Sequence, residues 1–183
     1  MINKYIICFI TLLLLLSIAA CGQAESTDEF DQSVDEAIEV TGDMLPAFST
    51  VDLHGNSVTN DIFKDKQVTM VNFWGTWCPP CVRELPDLGE LARTLPEGTQ
   101  IIGICEDAGD DNETLRLAIE ILSRANAEYL NIIPDEALRA YMENLVGFPT
   151  TIFVDENGVL LGKPIVGARG LEEFRAALES HMR

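Results

Sequence analysis

The sequence predicts an α/β domain of three layers, in which helices flank a central mixed β-sheet. An apolar run at residues 68–74 leads into Cys-Pro-Pro-Cys at residues 78–81, and a helical pattern follows it. A second strand and helix come next, and a β-hairpin and a last helix end the chain. Alternating strands and helices predict parallel pairing, whereas the hairpin adds antiparallel strands to the same sheet.

The predicted domain begins with an extra β-hairpin within residues 42–63. Its two short strands are separated by Gly55-Asn56, a dipeptide that is typical of turns. The strand at residues 68–74 is apolar at both alternating sets of positions, which predicts burial on both faces of the sheet. The helix that contains the second cysteine is predicted over residues 81–93.

The remaining elements are recognised by apolar periodicity and by breaks at glycine, proline and acidic clusters. Asp111 or Asn112 is suited to cap the second helix, and Asp-Glu-Asn-Gly at residues 155–158 predicts the turn of the later hairpin. In chain order these elements are a strand at 99–105, a helix at 113–125, a weak strand at 129–133, a helix at 136–145, a strand at 151–154, a strand at 159–166 that Pro164 interrupts, and a helix at 171–182.

Residues 1–20 have the features of a secretory signal peptide. Lys4 lies near the start, and the apolar segment at residues 6–16 is too short for a good membrane-spanning helix. The segment ends in Ala-Ala before Cys21 and Gly22, which resembles a bacterial lipobox. This resemblance implies that Cys21 becomes the acylated N-terminus after cleavage. An ordinary signal peptide with a nearby cysteine and an uncleaved anchor are the alternatives.

Residues 21–41 are predicted to be an acidic, flexible tether between Cys21 and a domain at residues 42–183. The segment is rich in Asp and Glu, contains no Lys or Arg, and has little apolar content. A docking role for these acids is the alternative. The whole chain has 12 Lys and Arg against 30 Asp and Glu, for a net charge of −18. Such a charge argues against nucleic-acid binding, which needs a basic surface.

Cys78 and Cys81 carry the chemistry that the sequence predicts. A helix N-terminus presents unpaired N–H groups and the positive end of the helix dipole, and both favour a thiolate over a thiol. The first cysteine of such a motif is therefore a nucleophile at neutral pH, and the second lies close enough to resolve a mixed disulfide.

A structural disulfide and half of a zinc site are the other interpretations of the motif. Zinc normally takes four ligands, and the sequence has no second Cys-x-x-Cys and no closely spaced pair of histidines. A haem attachment site would require histidine where Val82 stands. The sequence therefore predicts redox catalysis without a metal or another cofactor.

Two motifs together resemble the thioredoxin superfamily: Cys-Pro-Pro-Cys after an aromatic strand, and Gly-Phe-Pro-Thr at residues 147–150 before a hairpin. The longer segment Val-Asn-Phe-Trp-Gly-Thr-Trp-Cys-Pro-Pro-Cys-Val-Arg-Glu-Leu-Pro, residues 71–86, is similar to membrane-anchored thiol–disulfide oxidoreductases of the TlpA/ResA type. The resemblance covers about residues 42–182. It implies a thioredoxin-like three-layer fold, with the extra N-terminal hairpin that this family has.

The resemblance also implies roles for individual residues. Cys78 matches the attacking cysteine, Cys81 the resolving cysteine, and Trp77 the tryptophan before the motif. Pro149 matches a cis-proline that faces the active-site loop, and the backbone of Phe148 matches the segment that pairs with the partner's chain.

Glu84 matches an acid that lies near the motif in this family and tunes its cysteines. Cytosolic thioredoxin has a buried aspartate where this chain has Asn72, and an amide cannot accept the proton. A general-base role would therefore move to Glu84 or to water. An acid in the first turn of a helix is also favoured by the helix dipole alone, which is the alternative for Glu84.

The resemblance implies an extracytoplasmic, lipid-anchored monomer of the bacterial cell envelope. Its substrate would be an exported protein that contains a disulfide, such as apocytochrome c or methionine sulfoxide reductase. Its electron donor would be a transmembrane thiol protein of the CcdA/DsbD kind. Because Pro79 and Pro80 lack N–H groups that could stabilise a thiolate, we expect a reducing rather than an oxidising couple.

Two other functions and one further redox residue remain alternatives. A peroxiredoxin-like thiol peroxidase would have Thr or Ser where Gly75 stands. A copper-binding module would need a well-placed histidine, and His54 and His181 are the two in the sequence. Cys105 is expected to be a small buried hydrophobic residue, with a third redox cysteine as the alternative.

Overall fold

A five-stranded mixed sheet is the centre of the structure, a computed structural model that describes residues 44–182. The predictions for residues 1–20, for residues 21–41 and for lipidation of Cys21 lie outside the described residues. In chain order the elements are β1 (Ser49–Val51), β2 (Ser57–Thr59), a 3-10 helix (Asn60–Phe63), β3 (Val68–Trp74), α1 (Pro79–Ala92), β4 (Thr99–Cys105), α2 (Asn112–Arg124), β5 (Leu130–Ile132), α3 (Glu136–Met142), β6 (Thr150–Val154), β7 (Ile165–Val166) and α4 (Leu171–His181).

The strand order of the sheet is β5-β4-β3-β6-β7. Strands β3, β4 and β5 are parallel, β6 is antiparallel to β3, and β7 is antiparallel to β6. Strands β1 and β2 form a separate antiparallel pair. The predicted mixed sheet and the extra N-terminal hairpin are therefore confirmed.

Strand β3 is buried along its whole length, as its apolar sequence predicts. Its side chains alternate between two hydrophobic cores. Met70 and Trp74 belong to the first core, whereas Val71 and Phe73 belong to the second. Because alternate residues of a strand share a face, Asn72 lies on the same face as Met70 and Trp74.

Helices cover both faces of the sheet, which gives the predicted three layers. Side chains from α1, α2 and α4 pack in the first core, and those from α3, β2 and the 3-10 helix pack in the second. Helix α1 also packs against α4. Within residues 44–182, the structure contains no helix with the length and apolar character needed to cross a membrane.

The β1–β2 hairpin is attached to the outer edge of the sheet. Its turn is held by Asp52, whose carboxylate accepts hydrogen bonds from the backbone N–H groups of His54 and Asn56, both at 2.8 Å. The N–H of Leu53 donates to the carbonyl of Asn131 at 3.1 Å. The hairpin therefore covers part of the edge strand β5, which limits edge-to-edge association.

Several boundaries differ from the sequence prediction, and α3 ends at Met142 rather than at residue 145. Helix α1 begins at Pro79 rather than residue 81, with Cys78 as its N-cap, because proline suits the first turn, where its missing N–H has no partner to lose. The strand predicted over 159–166 is reduced to β7 and to isolated bridges at Val159 and Leu160. Pro164, which lacks a donor, interrupts the ladder as predicted, and Gly162, at φ +77°, adds a second interruption.

A buried hydrogen bond joins β3 to β5 across β4. The indole Nε1 of Trp74 donates to Oδ1 of Asn131 at 2.9 Å. Gly103 of β4 lies between them, and a Cβ at that position would be 1.9 Å from the same Oδ1 atom. The missing side chain of Gly103 is therefore what allows the bond to form.

We expect Gly103→Ala to lower the free energy of unfolding by about 1–3 kcal/mol, because the added methyl group must displace Asn131 in a packed core. Urea denaturation monitored by tryptophan fluorescence measures this change. Gly147→Ala is the matched control, since a Cβ there would have no atom within 4 Å. Equal midpoints for the two variants would contradict the explanation.

Candidate active site

Cys78 and Cys81 form a disulfide at the N-terminus of α1, with Cα atoms 5.3 Å apart. Cys81 is fully buried and Cys78 is 2% exposed. Both cysteines are therefore enclosed by the described residues in the oxidised state. The assignment of Cys78 as the attacking cysteine and Cys81 as the resolving cysteine stays a prediction from the motif.

The backbone at the start of α1 leaves one donor for the sulfur of Cys78. Pro79 and Pro80 are the first two helical residues, and neither has an N–H. The N–H of Cys81 donates to Sγ of Cys78 at 3.3 Å. In the reduced state the same N–H would be positioned to stabilise a Cys78 thiolate.

The turn before the disulfide is held by the buried carboxylate of Asp107, two residues after β4. Its Oδ1 accepts a hydrogen bond from the N–H of Thr76 at 2.9 Å, and its Oδ2 accepts one from the Thr76 hydroxyl. The thiol of Cys105 donates to Oδ1 at 3.4 Å. One side chain therefore fixes the loop between β3 and Cys78.

Trp77 and Phe148 form an aromatic surface next to the disulfide. Their rings meet edge to face with centroids 5.6 Å apart, and Trp77 is 58% exposed. Indole Nε1 of Trp77 donates to Oε2 of Glu106 at 3.0 Å. The Phe148-Pro149 peptide bond is cis, as the resemblance implied, and the carbonyl of Pro149 accepts from Gly167 at 2.8 Å.

Glu84 is a buried acid on α1, one turn after Cys81. Its Oε1 accepts a hydrogen bond from Nδ2 of Asn72 at 2.8 Å, and its Oε2 accepts one from the backbone N–H of Arg169 at 3.2 Å. The same Nδ2 also donates to the hydroxyl of Thr151, the residue of β6 that pairs with Asn72, at 3.0 Å. The side chain of Glu84 is therefore held in one orientation.

Burial raises the pKa of Glu84 to about 7, although hydrogen bonds from Asn72 and Arg169 act in the opposite direction. The carboxyl thus changes charge near neutral pH. The amide of Asn72 can hydrogen-bond to either the ionised or the neutral carboxyl of Glu84. Its Oδ1 is buried and accepts no hydrogen bond from the described residues. If the amide turned over, Oδ1 would accept the proton of a neutral Glu84.

Cys105 is buried without exposed area at the end of β4. Burial, with the nearby carboxylate of Asp107, raises the pKa of this thiol far above its usual range. A thiol that stays protonated is a poor nucleophile. The geometry thus favours the structural interpretation of Cys105 over that of a third redox cysteine.

The structure joins Cys78 to Cys81 and brings Trp77 against Phe148, whereas the carboxylate of Glu84 is bonded to Asn72 and to the backbone of Arg169. It also adds residues that sequence reasoning missed. Glu106, Asp107 and Arg169 contact the loop or the buried acid, yet the sequence marked the first two only as part of a polar loop. A signal was available, because parallel β3 and β4 place the residues that follow them at the same edge. Within residues 44–182, no group of three His, Cys, Asp or Glu side chains could hold a metal ion.

Comparisons with known proteins agree with this chemistry. The chain is 31% identical over 174 residues to the thiol-disulfide oxidoreductase ResA of Geobacillus kaustophilus, covering 93% of this chain and 92% of that relative. It is 28% identical over 153 residues to the thiol:disulfide interchange protein DsbE of Haemophilus influenzae, covering 82% and 77%.

A crystal structure of a thiol:disulfide interchange protein of the thioredoxin family from Chlorobium tepidum matches with a TM-score of 0.63 and 27% identity. The match covers 75% of this chain and 94% of that one. Fold, site and relatives together define a thioredoxin-like thiol–disulfide oxidoreductase. A sequence model of the AhpC/TSA family matches residues 41–162, and the chain belongs to that family.

We expect the raised pKa of Glu84 to make the protein less stable as the pH rises. The folded state binds this proton more tightly than the unfolded state, whose pKa is near 4.5. The contribution of this group to the free energy of unfolding should therefore be largest below that pH and fall by about 3 kcal/mol until about pH 7. Urea denaturation of wild type and Glu84→Gln between pH 4 and pH 8 would isolate this change.

The matched control is Glu90→Gln, an exposed acid on the same helix. The stability difference between wild type and Glu84→Gln should depend on pH, whereas the difference for Glu90→Gln should not. Parallel pH curves for wild type and Glu84→Gln would contradict the raised pKa.

Proposed function

We propose that this oxidoreductase works as a reductase for disulfides of exported proteins. The observation that carries the proposal is the Cys78–Cys81 disulfide at the start of α1, next to the aromatic surface of Trp77 and Phe148 and to a cis-proline loop. A partner chain placed along Phe148 and Pro149 would bring its own disulfide to Cys78. Trp77 would contact the same chain through the aromatic surface that it shares with Phe148.

The reaction is two successive thiol–disulfide exchanges. The Cys78 thiolate attacks one sulfur of the target disulfide, which forms a mixed disulfide and releases the other target sulfur as a thiolate that takes up a proton. Cys81 then loses its proton and attacks Sγ of Cys78. The target leaves as a dithiol, and the protein is left with the Cys78–Cys81 disulfide.

Glu84 is proposed to accept the proton that Cys81 loses. Its pKa of about 7 suits proton exchange near neutral pH. The position one helical turn after Cys81 puts both side chains on the same side of α1. Asn72 would act through Glu84 as a positioning residue, since its amide orients the carboxylate.

The direction of the reaction is proposed from the two prolines between the cysteines. They remove two N–H donors from the first turn of α1, so a thiolate at Cys78 has less support from the helix N-terminus than other residues there would give. A weakly stabilised reduced form gives up electrons readily, which makes the couple reducing.

The cellular setting is proposed from the N-terminal sequence. A signal peptide that ends at Cys21 would deliver the chain to the outer face of the membrane as a lipoprotein, and residues 21–41 would connect the lipid to the domain. Electrons would then come from a transmembrane thiol protein of the CcdA/DsbD kind. Apocytochrome c and methionine sulfoxide reductase are suitable exported substrates.

We expect the Cys78–Cys81 couple to have a reduction potential near that of thioredoxin, about −270 mV. Equilibration of the protein with dithiothreitol or glutathione buffers, followed by mass tagging of the peptide that holds both cysteines, measures it. A potential of about −120 mV, typical of a strong oxidant, would reverse the proposed direction.

We expect Cys81→Ala to trap mixed disulfides with substrates, because the resolving cysteine is missing, whereas Cys78→Ala should trap none. Consumption of hydrogen peroxide by the wild-type protein would instead favour a thiol peroxidase.

We expect the mature protein to carry lipid on Cys21. Mass spectrometry of the N-terminal peptide, together with membrane fractionation, tests this in bacterial cells that make the full chain. Cys21→Ser should leave the protein unlipidated, with Cys8→Ser as the matched control that changes neither lipid nor fractionation. A mature N-terminus elsewhere than Cys21 would favour an ordinary signal peptide or an uncleaved anchor.

A further inference from the structure

We propose that the surface beside the disulfide selects target chains that carry lysine or arginine next to their own disulfide. This inference rests on the proposed reductase function and specifies its substrate class. The surface, called here the docking surface, consists of Trp77, Val146 and Phe148 and of the cavity beside Phe148. The argument combines its apolar centre with the charges on its rim.

The apolar centre of the docking surface is large enough to hold part of a partner. Trp77 and Val146 are 58% and 56% exposed, and they are two of the four large hydrophobic residues within residues 44–182 with such exposure. A cavity of about 210 Å³ lies beside Phe148 and is also lined by Met142 of α3. Exposed aromatic side chains next to a small cavity are typical of binding sites.

The rim of this cavity is acidic. Glu106 and Glu143 line it, and Asp110 lies at the end of the same loop as Glu106. The carboxylate of Glu106 accepts the indole N–H of Trp77 through Oε2, which leaves further lone pairs for a cation. Glu143 ends α3 with an exposed side chain.

Arg139 is the cation that lines the cavity, and its charge is already balanced. Its Nη2 lies 3.5 Å from Oδ1 of Asp110, and its Nη1 donates to the carbonyl of Glu106 at 3.0 Å. With this pair neutralised, the carboxylates of Glu106 and Glu143 determine the sign of the potential. A carboxylate on the partner would be repelled there, whereas an ammonium or guanidinium group would be attracted.

Two other arginines near the disulfide belong to other sides of the site. Arg83 is on α1, which packs against α4, and Arg169 follows β7, beyond β6 in the sheet. Arg169 is held near Glu173, with 3.8 Å between Nε and Oε1. The acidic rim instead lies on the loop after β4 and at the end of α3. The preference for a cation therefore applies to the β4 side of β3.

A second copy of this chain would not suit the docking surface. Each copy has a net charge of −18, and two acidic rims would face each other in a symmetric pair. A disulfide-containing chain with neighbouring basic residues satisfies all three features of the site. Its disulfide reaches Cys78, its apolar side chains cover Trp77 and Phe148, and its cation meets Glu106 and Glu143.

The test uses three peptides that contain the same intramolecular disulfide, flanked by lysine, serine or glutamate. The reduced full-length protein is mixed with each peptide, and the second-order rate constant for loss of the peptide disulfide is measured at low and high salt. We expect the lysine peptide to react about 10-fold or more faster than the glutamate peptide at low salt. The ratio should approach one at high salt, because ions screen the rim.

Two charge-reversal variants separate the rim from the overall charge. Glu143→Lys should reduce the lysine-to-glutamate ratio several-fold. Glu156→Lys makes the same change of charge away from the docking surface. Glu156 follows Val154, which pairs with Thr69 near the start of β3, whereas Cys78 follows the end of that strand. This substitution should therefore leave the ratio near that of wild type. Both glutamates are exposed, so neither substitution disturbs a core.

Each outcome has a separate meaning. Equal rates for the lysine and glutamate peptides, or equal effects of Glu143→Lys and Glu156→Lys, would overturn the docking proposal while the reductase function stands. If the serine peptide is not reduced at all, the proposed reductase function itself fails. A faster reaction with the glutamate peptide would assign the site to acidic partners and would also overturn the proposal.

Discussion

Burial of β3 on both of its faces is the constraint on which the rest of the structure depends. A strand with no exposed side chain must have helices on both sides, and it must lie in the interior of the sheet with neighbours that satisfy its backbone. Its C-terminal end then opens directly into the turn that holds Cys78. The redox disulfide is thus attached to a strand that is buried along its whole length, and the loop after β4 reaches the turn before the disulfide because β4 runs parallel to β3.

The same constraint creates the buried polar group beneath the disulfide. Asn72 is the one residue of β3 with an amide side chain, and the alternation of the strand directs it toward α1. Glu84 meets it there, and the free energy of burying a carboxylate is offset only in part by two hydrogen bonds. The protein accepts this unfavourable charge next to its reactive cysteines, as is common at functional sites.

Much of the fold could be predicted because its signals are local. Strand β4 has the predicted bounds of 99–105, and Asp111 caps α2 through hydrogen bonds to the N–H groups of Glu113 and Thr114, both at 2.8 Å. The return strand is shorter than predicted, because Gly162, at φ +77°, adds a second interruption to the one that Pro164 predicts. In the active site, the Cys-x-x-Cys spacing is enough to predict the redox cysteines. The roles of Asp107 and Glu106 depend instead on contacts between segments that are distant in the sequence. The cis form of Pro149 came only from a resemblance, since an X-Pro sequence does not fix its isomer.

The protected thiol of Cys105 has a practical consequence for following the protein's motions. Cys78 and Cys81 change between disulfide and dithiol during turnover, whereas Cys105 is enclosed between β3 and the Asp107 carboxylate. A thiol reagent can reach it only when the end of β4 separates from its neighbours. The rate at which such a reagent modifies Cys105 therefore reports how often the scaffold beneath the active site opens, and the chain carries this reporter at a position where no label has to be introduced.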